Sequence, residues 1–198
     1  NMNWPEREIT WQNLFGIGNT IEEIYLTGGE PTIIKEQHRL LDYFINNGTA
    51  HNIKLKYNTN LTNVPRHLLT KWVKFKQLQL NCSIDAIGAL NKYIRYPSNW
   101  SNIERNFKTV RQLPNAKIEI HNTVQMYNIL KLTELIAWAK PYGHRIYFNI
   151  LNHPSVRRGN WVILGSQLVH PFFVRLCFVP LDDIKYRPPF HQFYTSIS

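Results

Sequence analysis

The chain has 198 residues and a mass of 23.5 kDa, enough for one sizeable domain. Hydrophobic residues make up 43% and charged residues 18%, which excludes a wholly disordered chain. The 23 Lys and Arg outnumber the 13 Asp and Glu, so the charge of +10 permits an anionic partner. The basic residues are scattered along the chain, however, and we do not expect a specific nucleic-acid surface.

No apolar run approaches the length of a membrane span, and the N-terminal stretch has no apolar signal-peptide region. The two cysteines, Cys82 and Cys177, follow neither a disulfide framework nor a metal-binding spacing, and the eight histidines show no paired metal spacing. We therefore assign no metal ligands and expect a protein of the reducing cytoplasm that does not associate with membranes. Because the chain opens with Asn1 instead of Met, we also expect further residues upstream.

Strand and helix patterns alternate between residues 21 and 152. Apolar and polar residues that alternate with a period of two, or short apolar runs, predict strands near 21–27, 53–57, 78–84, 118–124 and 146–150. Helical periodicity predicts helices near 33–45, 65–73, 86–94, 101–110 and 128–139. Ser101, with Glu104 three residues later, is predicted to cap one of these helices. Five strand–helix repeats imply parallel strands joined by right-handed crossovers, and hence an α/β fold.

The number of repeats limits the architecture. Five units are too few for a closed eight-stranded barrel, so the pattern fits an open doubly wound sheet or a partial barrel. Residues 154–198 are rich in proline and show no helical period, although 172–179 has the composition of a strand. We therefore predict a core domain over 1–153 and an irregular C-terminal extension over 154–198.

Polar residues gather where the predicted strands end, which is where parallel α/β folds bind their ligands. Thr27-Gly28-Gly29-Glu30-Pro31 follows the first strand. The two glycines let the backbone turn tightly and approach a ligand, and the proline fixes the exit into the helix. The next four strands are also followed by small or polar residues, namely Asn58, Thr59, Asn60, Ser83, Asp85, Thr123, Gln125, Asn128, Asn149 and Asn152.

These motifs resemble those of radical S-adenosylmethionine (radical SAM) enzymes. Gly28-Gly29-Glu30-Pro31 matches the family's GGEP motif, Asn58-Thr59-Asn60 is similar to its Thr-Asn turn, and Ser83-Ile84-Asp85-Ala86 to its Ser-x-Asp-Gly turn. Arg95 follows at the distance where the family often has an arginine. GGEP alone would be a weak signal, but the four features occur in order on successive strands. The resemblance covers residues 4–154 and is greatest to family members with a SPASM or twitch extension.

The resemblance implies a parallel-strand, partial (β/α)6 TIM-like barrel that lacks its first βα unit, with SAM bound across the strand ends. The residues that it assigns to the SAM site are Gly28, Gly29, Glu30, Pro31, Asn60, Ser83, Asp85, Arg95 and Asn128. In this assignment the segment 28–30 holds the methionyl amino group. Ser83 and Arg95 lie near the SAM carboxylate and ribose, since arginine suits a carboxylate through its two-pronged donor geometry.

The other assigned residues have less direct roles. Asp85 and Asn60 would shape the ribose or substrate side of the site, and Asn128 would position the loop near the adenosyl group. Each residue also has an ordinary structural explanation. Glu30 and Asp85 could act as helix N-terminal acids or caps, and Asn60 could simply form the turn.

The resemblance also implies a [4Fe–4S] cluster, which the family holds with a Cys-x-x-x-Cys-x-x-Cys loop. This sequence contains no such loop, so we expect the cluster ligands upstream of Asn1 and expect the chain alone to be inactive. With its cluster, such an enzyme takes an electron from a reductant such as flavodoxin or ferredoxin. It cleaves SAM to a 5′-deoxyadenosyl radical, which abstracts hydrogen from a substrate, often a peptide or protein.

Two alternative functions stay open. In the first, the barrel has lost its cluster and is a non-catalytic, basic binding protein for a peptide or nucleic acid. In the second, the chain is a non-radical α/β enzyme and the GGEP motif is coincidental. The second alternative is weakened because neither a Gly-x-Ser-x-Gly nucleophile elbow nor a Gly-x-x-x-x-Gly-Lys phosphate loop occurs.

Overall fold

The computed structural model describes residues 8–16, 18–150 and 173–178. Its helices are α1 (Glu8–Gly16), α2 (Lys35–Asn46), α3 (Arg66–Trp72), α4 (Gly88–Ile94), α5 (Trp100–Val110) and α6 (Leu132–Ala139). Its strands are β1 (Ile21–Thr27), β2 (Lys54–Thr59), β3 (Gln77–Ser83), β4 (Ala116–Val124), β5 (Arg145–Ile150) and β6 (Phe173–Phe178). Short 3₁₀ turns precede β1, α2, β2, α6 and β5.

The strands form one sheet in the order β5-β4-β3-β2-β1-β6. Strands β1 to β5 are parallel to one another, and β6 alone among the described strands is antiparallel, against β1. The predicted α/β fold with five parallel strands is therefore confirmed. The register pairs Thr59 with Cys82 and Ser83 with His121, so the carboxyl ends of β2, β3 and β4 lie at one edge of the sheet.

The hydrophobic core lies between the helices and one face of this sheet. Alternate strand residues, such as Ile24 and Leu26 of β1, point into it because successive side chains of a strand face opposite sides. The helices contribute apolar residues at helical spacing, for example Leu40, Leu41 and Phe44 of α2. This packing on one side leaves the opposite face of the sheet for polar residues, which are described below.

The structure differs from the sequence prediction in three local features. Helix α1 was not predicted, and Trp11 is its one buried residue. Helix α5 starts before Ser101, because the Asn99 side chain accepts a hydrogen bond from the Asn102 amide; the predicted capping box is wrong. Strand β6 lies inside the segment predicted to be irregular, at the run that had the composition of a strand.

The far edge of the sheet is formed by β5. Among the described strands it pairs with β4 alone. Three of its apolar side chains are exposed, Tyr147 by 39%, Phe148 by 44% and Ile150 by 75%. No helix in the described part of the chain is both long enough and apolar enough to cross a membrane. The domain boundary predicted near residue 153 lies outside the described residues.

Candidate functional site

The turn after β1 positions the first group of candidate residues. Gly28 has a φ of 104°, in the region that favours glycine, so its lack of a Cβ is required here. Gly29 is exposed, which leaves its backbone accessible. Pro31 is buried and starts the 3₁₀ turn Pro31–Ile33 that leads into α2. The tight turn at Gly28 and the exit fixed by Pro31 therefore agree with the local backbone.

The Glu30 carboxylate joins the ends of β1 and β2. Its Oε1 accepts hydrogen bonds from the Thr32 amide (3.3 Å), the Thr32 hydroxyl (2.7 Å) and the Thr59 hydroxyl (2.7 Å). Its Oε2 accepts from the Asn60 amide at 2.7 Å. Glu30 is only 8% exposed, so these donors replace the water that a carboxylate otherwise binds. Because Oε2 has a single donor, it can accept one more hydrogen bond.

The turn after β2 carries backbone strain. Leu61 has a φ of 57°, which is unfavourable for a branched side chain, and its side chain is fully buried. The Thr59 hydroxyl accepts from the Leu61 amide at 3.0 Å, and Asn106 of α5 donates to the Leu61 carbonyl at 2.8 Å. The Asn60 side chain accepts from the amide and hydroxyl of Thr62. Asn60 thus forms the turn with its side chain and holds Glu30 with its backbone.

A second group of candidate residues centres on Asp85, just beyond β3. Asp85 Oδ2 lies 2.8 Å from Arg95 Nε, and the side chains are only 6% and 15% exposed. Asp85 Oδ1 accepts from the Thr123 amide at the end of β4, at 2.9 Å. Arg95 has five N–H groups, more than this one carboxylate can accept, so it can bind a further anionic group.

Three buried asparagines hold the backbone around Asp85. The Asn91 side chain accepts from the Asp85 and Ala86 amides, whereas Asn122 and Asn128 donate to the Asp85 carbonyl, each at 2.7 Å. Asn128 also donates to the Thr123 carbonyl and accepts from the Gln125 amide, so all its polar atoms are used within the protein. Its predicted position near the strand ends is correct, and its contacts here are structural.

Several buried polar atoms near this turn have no hydrogen-bond partner among the described residues. They are Asn91 Nδ2, Asn122 Oδ1, Ser98 Oγ and Arg95 Nε, which faces Asp85 as an ion pair without the geometry of a hydrogen bond. Native proteins leave few such atoms unpaired, because each costs about 1–3 kcal/mol. Asn91 and Asn122 both bond to the turn that carries Asp85, so the orphaned atoms mark this region as one suited to a polar ligand.

The candidate residues therefore fall into two groups. Glu30 and Asn60 meet at the ends of β1 and β2, and Asp85, Arg95 and Asn128 meet at the ends of β3 and β4. Ser83, the last residue of β3, is half-buried and pairs in register with His121.

A row of polar residues crosses the sheet on the face opposite the helices. The sequence motifs did not reveal that these residues form a row. Asn58 donates to Thr27 (3.2 Å), and Asn81 donates to Asn58 (2.9 Å). Gln79 donates to both Asn81 and Glu119, each at 3.1 Å. This polar row starts beside Gly28 and ends on β4. The signal for it was present as polar residues at alternate positions of otherwise apolar strands.

Glu119 forms the charged end of the polar row. Its carboxylate lies 2.9 Å from Lys117 Nζ and 3.5 Å from the Tyr147 hydroxyl. Burial acts to raise the Glu119 pKa, but the bond and charge of Lys117 outweigh it, so the pKa is lowered. The His121 ring stacks on Tyr147, and burial lowers the His121 pKa despite the nearby Glu119. At neutral pH this end of the row thus presents an anionic carboxylate beside a neutral imidazole.

The thiol of Cys82 is poorly suited to bind iron. Cys82 is fully buried in the core on the helix side of β3, as predicted, and burial raises the pKa of its thiol far above the usual range. The described residues bring together no group of three or more His, Cys, Asp or Glu side chains that could hold a metal ion. The sequence has two cysteines, and the second of them, Cys177, lies on β6. Three thiolates therefore cannot come from these 198 residues.

Comparison with known proteins gives structural matches only. No protein-family model matches the sequence, and no curated protein matches it significantly. Solved structures of SuiB from Streptococcus suis share the fold, with a TM-score of 0.53, 16% identity and 66% of this chain covered. The structures of SuiB bound to S-adenosylmethionine and to the precursor peptide SuiA each give a TM-score of 0.52, also at 16% identity. The chain spans only 28–29% of the SuiB length. At this identity the likeness establishes the fold alone.

Proposed function

We propose that this chain is part of a radical SAM enzyme and contains the residues that bind SAM. The observation that carries the proposal is the cluster of buried polar groups at the carboxyl ends of β1–β4. It combines the accessible Gly28–Gly29 backbone, the Asp85–Arg95 ion pair and unpaired polar atoms on Asn91 and Asn122. SuiB, which has the same fold, has been solved with bound SAM, which supports this assignment.

The chemistry of these donors fits the groups of SAM. The methionyl amino group is cationic and needs acceptors, which the exposed backbone at Gly29 and the remaining acceptor position on Glu30 Oε2 can supply. The methionyl carboxylate needs donors, and the N–H groups of Arg95 that Asp85 does not occupy suit it. Ser83, at the end of the strand between these two groups, offers a hydroxyl to the ribose.

The chain's own residues bind and orient in this mechanism. The Glu30 clamp and the Asp85–Arg95 pair hold the strand ends at fixed positions, so the ligand meets groups that are already arranged. Bound SAM, beside a reduced cluster, would supply the chemistry of hydrogen abstraction from a substrate. Two cysteines, one of them buried in the core, do not fit a [4Fe–4S] cluster, so its ligands would have to be cysteines outside these residues.

A peptide is the substrate class that we propose. SuiB has been solved with the precursor peptide SuiA, and peptide side chains would find hydrogen-bonding partners along the polar row. This row joins the turn at Gly28 to Glu119, so a substrate lying along it would reach the proposed SAM site.

Nuclear magnetic resonance titration of the chain with SAM tests the binding site. We expect amide shifts in the turns after β1 and β3, and we expect Gly29→Val to lower the SAM affinity at least about tenfold, about 1.4 kcal/mol. The added side chain would block close approach at an exposed position, so the fold should survive. Gly16→Val is the matched control, because a Cβ at Gly16 meets no atom within 4 Å and the residue is remote from the strand ends.

A second pair of variants tests the role of Ser83. Ser83→Ala should weaken SAM binding, whereas Ser101→Ala, at an exposed position on α5, should not. A folded chain with no SAM-dependent shifts at these turns would overturn the proposal. Shifts produced instead by a peptide or an oligonucleotide would favour the non-catalytic binding protein.

A further inference from the structure

Two histidines from different helices meet on the outer surface of the domain. His38 lies on α2 and His67 on α3, and their Nε2 atoms are 3.4 Å apart. The ring centroids are 4.8 Å apart, farther than the two nitrogens, so each ring directs Nε2 toward the other. Two converging imidazole nitrogens are a common arrangement for metal ligands.

The distance between the nitrogens fits a shared metal ion. Zinc–nitrogen bonds of 2.0–2.1 Å at a tetrahedral angle separate two ligand nitrogens by about 3.3–3.4 Å. A direct hydrogen bond from nitrogen is shorter, commonly about 2.9–3.0 Å. The observed 3.4 Å therefore matches two ligands of one ion better than a histidine–histidine hydrogen bond.

Both residues can be reached by a cation from solvent. The His38 side chain is half-buried on α2. His67 is exposed, which gives an ion access from solvent and leaves room for water ligands.

A neighbouring ion pair holds the two helices in this register. Asp42 follows His38 by one turn of α2, and Lys71 follows His67 by one turn of α3. Lys71 Nζ lies 2.7 Å from Asp42 Oδ1, so the two helices are joined twice at matching positions. The Asp42 carboxylate also offsets the charge of Lys71, which would otherwise repel a cation.

We propose that His38 and His67 bind a divalent transition-metal ion such as Zn²⁺, which links α2 to α3. In the described ranges no third His, Cys, Asp or Glu completes a ligand set, so water molecules fill the remaining coordination positions. The site is independent of the proposed SAM site. An ion bound only by the folded chain stabilises it in proportion to the logarithm of its concentration.

The test uses the full chain, stripped of metal with a chelator and titrated with zinc chloride. Calorimetry gives the affinity, and long-range ¹H–¹⁵N spectra report on each histidine ring. We expect Zn²⁺ to raise the melting temperature and to shift the Nε2 signals of His38 and His67. His38→Gln and His67→Gln should each lower the affinity at least about tenfold. His51→Gln, at another exposed histidine, should leave the affinity unchanged.

The spectra of the wild-type chain keep the test decisive even if a variant fails to fold. Zn²⁺-induced shifts confined to other histidines would overturn the proposal. Wild-type affinity in both folded histidine variants would do the same, as would a chain that binds no Zn²⁺ at all.

Discussion

Replacing Glu30 by glutamine tests the clamp between β1 and β2. Glutamine has one acceptor oxygen, and in its best orientation that oxygen still faces Thr32 and Thr59. Its amino group then faces the Asn60 N–H, so one charge-assisted hydrogen bond is lost and one donor is left unpaired. Such a bond contributes about 1.5–3 kcal/mol, and an unpaired buried donor costs about 1–3 kcal/mol. The lost hydrogen bond and the unpaired donor describe the same contact, so the two energies do not add in full. We therefore expect Glu30→Gln to lower the free energy of unfolding by about 2–4 kcal/mol.

Urea denaturation followed by circular dichroism measures this loss. Glu22→Gln is the matched control, because Glu22 is exposed on β1, the strand that precedes Glu30; its effect should stay within about 0.5 kcal/mol. If Glu30→Gln were as stable as the control, the carboxylate would not be the clamp that its contacts indicate. Loss of SAM binding without loss of stability would then make Glu30 a ligand residue only.

Two further predictions concern charged groups. Arg95→Met should cost about 3–5 kcal/mol because it leaves Asp85 buried without its partner, whereas adding Asp85→Asn should recover part of the loss. A coupling below about 0.5 kcal/mol in the double-mutant cycle would contradict a strong pair. Burial lowers the pKa of His38, His121 and His144 from the ordinary 6.5, so protons bind more readily to these rings in the unfolded chain. The contribution of the three rings to stability is therefore fully present above that pH and is lost as the pH decreases below it. The urea midpoint, measured without metal, should therefore drop between about pH 7.5 and pH 5.5; a flat profile would show that these rings titrate as in the unfolded chain.

The sheet was predictable because its signal is local. Each of the strands β1 to β4 has buried residues at alternate positions or in a short apolar run, and each is followed by a helix with apolar residues at helical spacing. The cap of α5 was less predictable, because Asn99 and Ser101 are both good capping residues and tertiary packing decides between them. Helix α1 has one buried residue, Trp11, and so lacks the apolar stripe that reveals most helices.

The sequence predicted which residues belong to the candidate site, but not which residues they contact. The GGEP motif and the turns after β2 and β3 identified the residues, but their partners come from distant parts of the chain. Glu30 binds Thr59, and Asp85 binds the Thr123 amide, contacts that depend on strand order and register. The same reasoning explains why the eight histidines showed no metal spacing, although His38 and His67 meet in the structure.

The exposed edge of the sheet at β5 has a practical consequence. Within the described part of the chain, the outer edge of β5 offers unpaired N–H and C=O groups beside the exposed side chains of Phe148 and Ile150. Two copies of the chain can join along such edges, so aggregation should increase with concentration during expression and storage. A lysine in place of Phe148 would add the charge with which natural proteins protect edge strands.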